Sequence, residues 1–259
     1  DTGHDRIVVL QARTEFDHDQ YDEAYPPGIE RSWWSRARNT MIGRAFRRHV
    51  PSNARVLEVG CGTGIVTAHL RSLGWEVTGV ELGKPTRGLH AAEHLLLGTD
   101  VFDLPLDQRT GYGVLALFDV LEHLEDPAGF LRRLLLHYPN AHTVIITVPA
   151  RQELWTSFDE HYGHHRRYDL AMVRTLFATA GLTPVSVRYF FHALYPAIAV
   201  NNLLRGRKRN IRFAAPAPGL SSTLNAAVAA CFAAEAALLP GALPGSSIIA
   251  VARRAPSAP

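Results

Sequence analysis

The sequence predicts an α/β fold, a doubly wound and mostly parallel sheet, on three observations. Short apolar runs alternate with stretches of helical spacing along most of the chain, as in strands with crossover helices on both faces. One apolar run, "RVLEVG", passes through "CGTG", with Gly60, Gly62 and Gly64 alternating, into the helical "IVTAHLRSLG". Helical material flanks this core: an arm precedes it, and about fifty residues separate its last two apolar runs, far beyond a normal connection.

The elements follow in order. In "ERSWWSRARNTMIGRAFRRHV", Trp33, Ala37, Met41, Ile42 and Phe46 recur at helical spacing with arginines opposite, so a helical arm runs up to Pro51. "RVLEVG" is a short buried strand, the next helix stops at Gly74, and "WEVTGVE" is a second strand ending at Glu81. A helix through "TRGLHAAEHLLL", a strand "YGVLALFD" and a helix "DPAGFLRRLLLHY" follow. Next come the strand "HTVIITVP", the helix "LAMVRTLFATAG" and the strand "PVSVRYFF". "SSIIAVARR" reads as an edge or closing strand. The expected layout is an arm over 1–50, a ligand-binding core over 51–190, a helical insertion or lid over 191–245, and a closing strand and tail over 246–259.

Composition sets limits. With 259 residues, 47% hydrophobic and 20% charged, the chain has an ordinary globular composition. A net charge of +3 supplies no global basic field, and no nucleic-acid partner is expected. Two cysteines, Cys61 and Cys231, form no disulfide framework, which fits a reducing cytoplasm. The charged start "DTGHDRIVVLQARTEFDHD" lacks a long apolar core, so no signal peptide is expected there.

Strand, glycine turn and helix make a mononucleotide-type binding unit. Glycines permit the tight turn and close approach of a ligand to the main chain, while the helix N-terminus offers free N–H groups. Glu81 ends the next strand, where a carboxylate can accept from both ribose hydroxyls. A plain helix-packing turn with Glu81 as surface charge is the alternative.

"VLEVGCGTG", "VTGVE", "GTDVFDLPL" and "LFDVLEHLEDP", occurring in this order, resemble the class I S-adenosylmethionine-dependent methyltransferases of small-molecule type. The resemblance runs from about Arg31 to Gly181 and implies a Rossmann-like seven-stranded sheet with S-adenosyl-L-methionine as cofactor. By it, Gly60, Gly62 and Gly64 face the methionine part with Cys61 and Thr63 lining the turn, Glu81 holds the ribose, Asp100 and Val101 contact the adenine, and Glu58 and Leu82 are further cofactor contacts. Phe118 and Asp119 fall beside the sulfonium. Thr99 stands where the family has a glycine, and Tyr112-Gly113 replaces its usual Phe-Asp pair. The cofactor's carboxylate wants a cation, for which Arg38 in "WWSRARN" is the candidate; a solvated helix arginine is the alternative.

The acceptor side is expected in "VPARQELWTSFDEHYGHHRRYDL", after the fifth strand of that fold. It resembles a methyltransferase subgroup with a "D…GH.RRY" stretch, matching Asp159, Gly163, His164, Arg166, Arg167 and Tyr168. His164, His161 and His123 are the candidate catalytic residues, because a histidine can take a proton as the methyl arrives. Trp155, Asp159, His165, Arg166, Arg167 and Tyr168 are candidate acceptor contacts, arginines suiting an anionic group. Arg166 and Arg167 bracing a lid is the alternative, and for His123 a bracing role is favoured. No metal is expected, since "HxxHH" alone is no closed ligand set.

The implied function is methyl transfer to a small-molecule, lipid-linked or sugar-linked acceptor, at oxygen in the first instance. A non-catalytic cofactor-binding module and a nucleotide-dependent oxidoreductase are the competing readings. In the insertion, "ALYPAIAVNNLL" and "LNAAVAACFAAEAALL" are apolar but interrupted by Asn201, Asn202 and Glu235, so no membrane span is expected. Between them, Arg205, Arg207, Lys208, Arg209 and Arg212 suggest peripheral contact with an anionic membrane, with a solvated basic loop as the alternative.

Overall fold

The computed structural model of the chain describes residues 18–209 and 215–254. The charged start of the chain, residues 1–17, and Arg212 of the basic cluster lie outside them. A short helix α1 (His18–Ala24), which no periodicity announces, leads to the arm helix α2 (Trp33–His49). Ser32 caps α2 by accepting from the Ser35 N–H, and Val50 leaves it in extended conformation ahead of Pro51.

The strands are β1 (Arg55–Val59), β2 (Glu76–Glu81), β3 (Leu95–Leu97), β4 (Val114–Phe118), β5 (Thr143–Pro149), β6 (Leu182–Phe190) and β7 (Ser247–Arg254). They form one seven-stranded sheet in the order β3-β2-β1-β4-β5-β7-β6. Neighbours from β3 to β5 are parallel, and β7 is antiparallel to both β5 and β6. β7 is therefore an interior strand, and β6 takes the edge where the sequence suggested the last strand. The chain order reverses at β1, which pairs with both β2 and β4. In open α/β sheets ligands bind at such a reversal, outside the carboxyl ends of the strands.

One expected helix is a strand. Residues 86–97 form a loop, a single 3-10 turn at Ala92–His94 and then β3. Gly88 and Ala91 have positive φ, which interrupts a helix, and Leu95, Leu96 and Leu97 pair with Gly79, Val80 and Glu81 at the sheet edge. A run of three leucines has no period of its own, so pairing with β2 decides its form.

Alternate residues of the central strands feed two cores. Leu57, Leu115, Leu117, Ile146 and Val148 face α5 (Pro127–His137) and α7 (Leu170–Thr179), meeting Leu131, Leu134 and Phe177. Val56, Val114, Ala116, Ile145 and Ile249 face α2, α3 (Ile65–Ser72) and α9 (Leu220–Leu238), meeting Ile42, Phe46 and Leu70. Each fully buried aliphatic or aromatic side chain here contributes about 1.5–3 kcal/mol. Helix α4 (Leu106–Arg109) is a single turn before β4, and α6 (Ser157–His161) follows β5. Helix α8 (Leu194–Arg205) and α9 make up the insertion. Ala229, Ala233 and Ala236 let α9 lie close on α2, where Phe232 stacks on Trp33 with ring centroids 5.1 Å apart.

Candidate active site

The glycine turn follows β1, at the point where the strand order reverses. Gly60, Gly62 and Gly64 have φ of +72°, +55° and +82°, a region L side chains avoid. Space is short as well. A Cβ on Gly60 would lie 2.7 Å from the Val120 side chain, one on Gly62 2.6 Å from the Tyr25 hydroxyl, and one on Gly64 against the His90 carbonyl. The turn is pinned by Gly60 and Cys61 N–H groups donating to the Val80 carbonyl. The Cys61 side chain turns away and packs against Gly79 of β2, so only its main chain belongs to the turn. Thr63 is buried, and its Oγ1 has no hydrogen-bond partner.

Glu81 closes the floor. Its Oε2 accepts from the Gly62 N–H at 2.9 Å, and its Oε1 accepts from the Gly83 N–H and the Tyr21 hydroxyl, both at 2.9 Å. Tyr21 and Tyr25, both reached through α1, stack at 6.3 Å over the turn. Burial, then the Glu81 charge, pushes the Tyr25 phenol far above its ordinary value. Sequence reasoning missed both tyrosines; "QYDEAYPPG" carries no local signal for a contact with β2. Beneath the turn, Glu58 accepts from the Thr67 hydroxyl, and burial raises its carboxyl to about 7.

Arg38 reaches from α2 to the end of β4. Its Nη2 lies 2.6 Å from Asp119 Oδ2, and its guanidinium stacks over Trp34 at 5.1 Å. It is buried, and its Nε has no partner, so a solvated helix arginine is not what the structure shows. Asp119 has φ +57° and accepts from the Thr147 hydroxyl at 3.0 Å. Phe118 points under α2 toward Phe46, 6.5 Å between centroids. On the far side of Glu81, Leu82 is half-buried and Asp100 Oδ1 accepts from the Phe102 N–H. The Val101 carbonyl accepts from the Tyr138 hydroxyl.

These residues fit S-adenosylmethionine: a cradle with no room for side chains, a carboxylate at the ribose position, and two buried donors without partners at the methionine end. Arg38 and Thr63 would hold the amino-acid end, Glu81 the ribose, and Asp100 the adenine.

The acceptor side gathers around Asp159, which is fully buried. His164 Nδ1 lies 2.9 Å from its Oδ1, and Arg167 donates from Nε to Oδ1 at 2.8 Å and from Nη2 to Oδ2 at 3.0 Å. The Thr156 N–H caps Oδ2 at 2.9 Å. Burial alone would raise this carboxyl, but the hydrogen bond from His164 and the Arg167 charge hold it at about 2. The His123 ring stands edge-on to His164 at 4.8 Å, and burial, then His164, lowers its pKa to about 3. Beside them Glu122 is buried with Oε2 unpartnered, and burial, then Asp119, raises its carboxyl well above the ordinary range. Glu122, His123 and His164 each bring one ligand-capable atom within 4.8 Å of the others, a cluster the sequence did not single out.

The remaining candidates divide. Arg166 donates to the carbonyls of Leu124 and Glu125, and Arg167 is committed to Asp159 and the Ala150 carbonyl, so both sit in the bracing arrangement. Tyr168 is a core residue whose hydroxyl donates to the Leu121 carbonyl. His165 is exposed and Trp155 half-buried, its Nε1 donating to Glu160. His161 Nε2 lies 3.0 Å from Glu23 of α1, and the Gln20 amide donates to its carbonyl. α1 thus touches both halves of the site.

With this geometry in view, comparison with known proteins is specific. The model of the methyltransferase domain family matches residues 33–187, more than half of the chain. Among curated proteins, the chain is similar to the ubiquinone biosynthesis O-methyltransferases of Proteus mirabilis (30% identical over 39% of this chain and 44% of that one) and Aeromonas salmonicida (31%, over 36% and 43%). The matched part spans less than half of those relatives. Among solved structures, it resembles the methyltransferase bound to the Trm112 activator from Haloferax volcanii (TM-score 0.54, 18% identity, 93% of this chain and 98% of that one). It also resembles magnesium protoporphyrin IX methyltransferase from Synechocystis with bound S-adenosylhomocysteine (TM-score 0.50, 13% identity, 85% and 83%). At these identities the structural likeness is one of fold, and the fold is that of the sheet order and glycine turn described above. The chain belongs to the methyltransferase domain family, and its sheet order is that of the class I methyltransferase fold.

Proposed function

We propose that this enzyme methylates an acidic hydroxyl oxygen on a small-molecule acceptor, with His164 as the base. The observation that carries the reading is the Asp159–His164 hydrogen bond, 2.9 Å, beside the carboxyl end of β4. An ionised, fully buried carboxylate on Nδ1 fixes the tautomer that leaves Nε2 free to accept a proton. Arg167 and Thr156 fix the carboxylate in turn. S-adenosylmethionine supplies an electrophilic methyl on a sulfonium, so the protein's tasks are alignment, water exclusion and removal of one proton.

The chain divides these tasks. Arg38 and Asp119 order the floor near the methyl position, and α1 covers the turn with Tyr21 and Tyr25. His164 takes the acceptor's proton at Nε2. A histidine base matches hydroxyls such as phenols and enols rather than simple alcohols. Phe158 lies 6.3 Å from His164 and carries Arg209 5.1 Å over its ring, a platform suited to a flat acceptor with an anionic substituent. The names of the curated relatives favour oxygen as the accepting atom. Incubation of the enzyme with labelled cofactor and parallel sets of phenols, carboxylates and amines tests the reading. Label is expected on phenolic oxygen, and transfer confined to amines would overturn it.

A further inference from the structure

Helix α9 presents an outer face without charge. Its exposed positions include Leu220, Leu224, Val228, Cys231 and Leu238, with Thr223 the most polar. Leu220 is 76% exposed and Leu238 81%. The one charged residue of α9, Glu235, turns inward, its carboxylate accepting from the His192 and Ala193 N–H groups at the start of α8. A helix against water normally carries polar residues on that side.

Cations flank the carboxyl end of the apolar stripe. Exposed Arg205, Arg207 and Lys208 follow α8 on the acceptor side instead, where Arg209 lies over Phe158 and the Ser157 N–H donates to the Arg207 carbonyl. Beside the carboxyl end of α9, a cleft of about 580 Å3 opens between α2, α9, β6 and β7. Its walls carry Arg44, Arg47, Arg48, His49 and Arg188, over a floor of Phe190, Ile249 and Val251. Arg44 and Arg188 donate to the carbonyls of Ala233 and Ala236, fixing those cations to α9. Arg47 and Arg48 are exposed and pair with no carboxylate among the described residues.

By length and composition α9 would suffice to cross a membrane, so Glu235 does not remove it from that class. Its inner face, however, is seated on α2 through Ala229, Ala233 and the Asn225 bond to the Trp33 N–H. Crossing a bilayer would strip those contacts, whereas lying along its surface keeps them. An apolar face bounded by cations suits the boundary between acyl chains and anionic headgroups.

We propose that α9 forms a peripheral docking surface for an anionic lipid bilayer, with phosphate headgroups received by the arginines of the adjoining cleft. The surface is distinct from the methyl-transfer site and does not rest on the acceptor assigned there.

Flotation of the full chain with phosphatidylcholine vesicles, with and without phosphatidylglycerol, provides the test. We expect flotation with anionic vesicles at low salt, release at high salt, and release by alkaline carbonate. Leu224→Glu with Val228→Glu should abolish flotation, and Arg47→Gln with Arg48→Gln should weaken partitioning roughly thirtyfold. Met172→Glu, on α7, should leave it unchanged. Circular dichroism and S-adenosylmethionine affinity check that each variant is folded. Absence of flotation with anionic vesicles, or flotation indifferent to Leu224→Glu with Val228→Glu, would overturn the proposal. So would retention through carbonate extraction, which means a spanning helix, or a dimer in light scattering that the same substitutions dissociate without any vesicle binding.

Discussion

The Tyr21 hydroxyl donates to Glu81 Oε1 at 2.9 Å, so the carboxylate positioned for a ribose is already held by α1. Cofactor hydroxyls must compete for that oxygen. Tyr21→Phe should therefore tighten S-adenosylmethionine binding by about 1 kcal/mol, the net worth of one such hydrogen bond. Calorimetry reads this directly. Weaker binding would mean that the Tyr21 hydroxyl stays in the liganded site as a contact.

Removing Glu81 itself acts the other way. Glu81→Ala should weaken cofactor binding by about 1.5–3 kcal/mol, the range for hydrogen bonds to a charged group. The Gly62 and Gly83 N–H groups lose their acceptor as well, so a small fall in melting temperature should accompany it. Unchanged affinity in a folded variant would remove Glu81 from the cofactor site.

Gly62→Val should abolish cofactor binding. The residue has φ +55°, and a Cβ there meets the Tyr25 hydroxyl at 2.6 Å. A branched side chain both strains the turn and displaces α1. Thermal-shift titration with S-adenosylhomocysteine should show no stabilisation, and a normal shift would contradict the assignment of the turn.

Glu58 links stability to pH. Burial raises its carboxyl from an ordinary 4.5 to about 7. Between those values the folded state binds the proton that the unfolded state has lost, so stability declines as pH rises through this window. Glu58→Gln removes the decline and should gain about 3 kcal/mol above pH 7 relative to its effect at pH 4. Denaturant unfolding across pH checks it, and identical pH profiles for the two proteins would refute it. Asp159 has the opposite sign: its carboxyl is depressed to about 2, so its contribution is present above the ordinary value and lost as pH falls toward 2.

Much of this was legible in the sequence because it is local. A strand, three glycines at alternate positions and a helix already imply a cradle, and the positive φ of Gly60, Gly62 and Gly64 is the conformational demand behind that spelling. "DEHYGHH" placed Asp159 and His164 close enough in the chain to meet. What escaped depends on distant partners. β3 is three leucines whose form is set by β2, and Tyr21 lies sixty residues from the carboxylate it bonds. Arg166 and Arg167 look alike as letters, but one meets main-chain carbonyls and the other a buried carboxylate. The interior place of β7 is likewise a matter of sheet order, invisible in its own residues.

The role of His164 is decided by single-turnover transfer of a deuterated methyl group from S-adenosylmethionine, followed by mass spectrometry, in the native enzyme and in His164→Ala. We expect the label on a hydroxyl oxygen of the acceptor and stoichiometric S-adenosylhomocysteine. His164→Ala should lower the transfer rate about a hundredfold to ten-thousandfold, as for a lost general base, with cofactor affinity unchanged. A native rate in His164→Ala, or equal losses of cofactor binding and transfer, would contradict the assignment of His164 as the base.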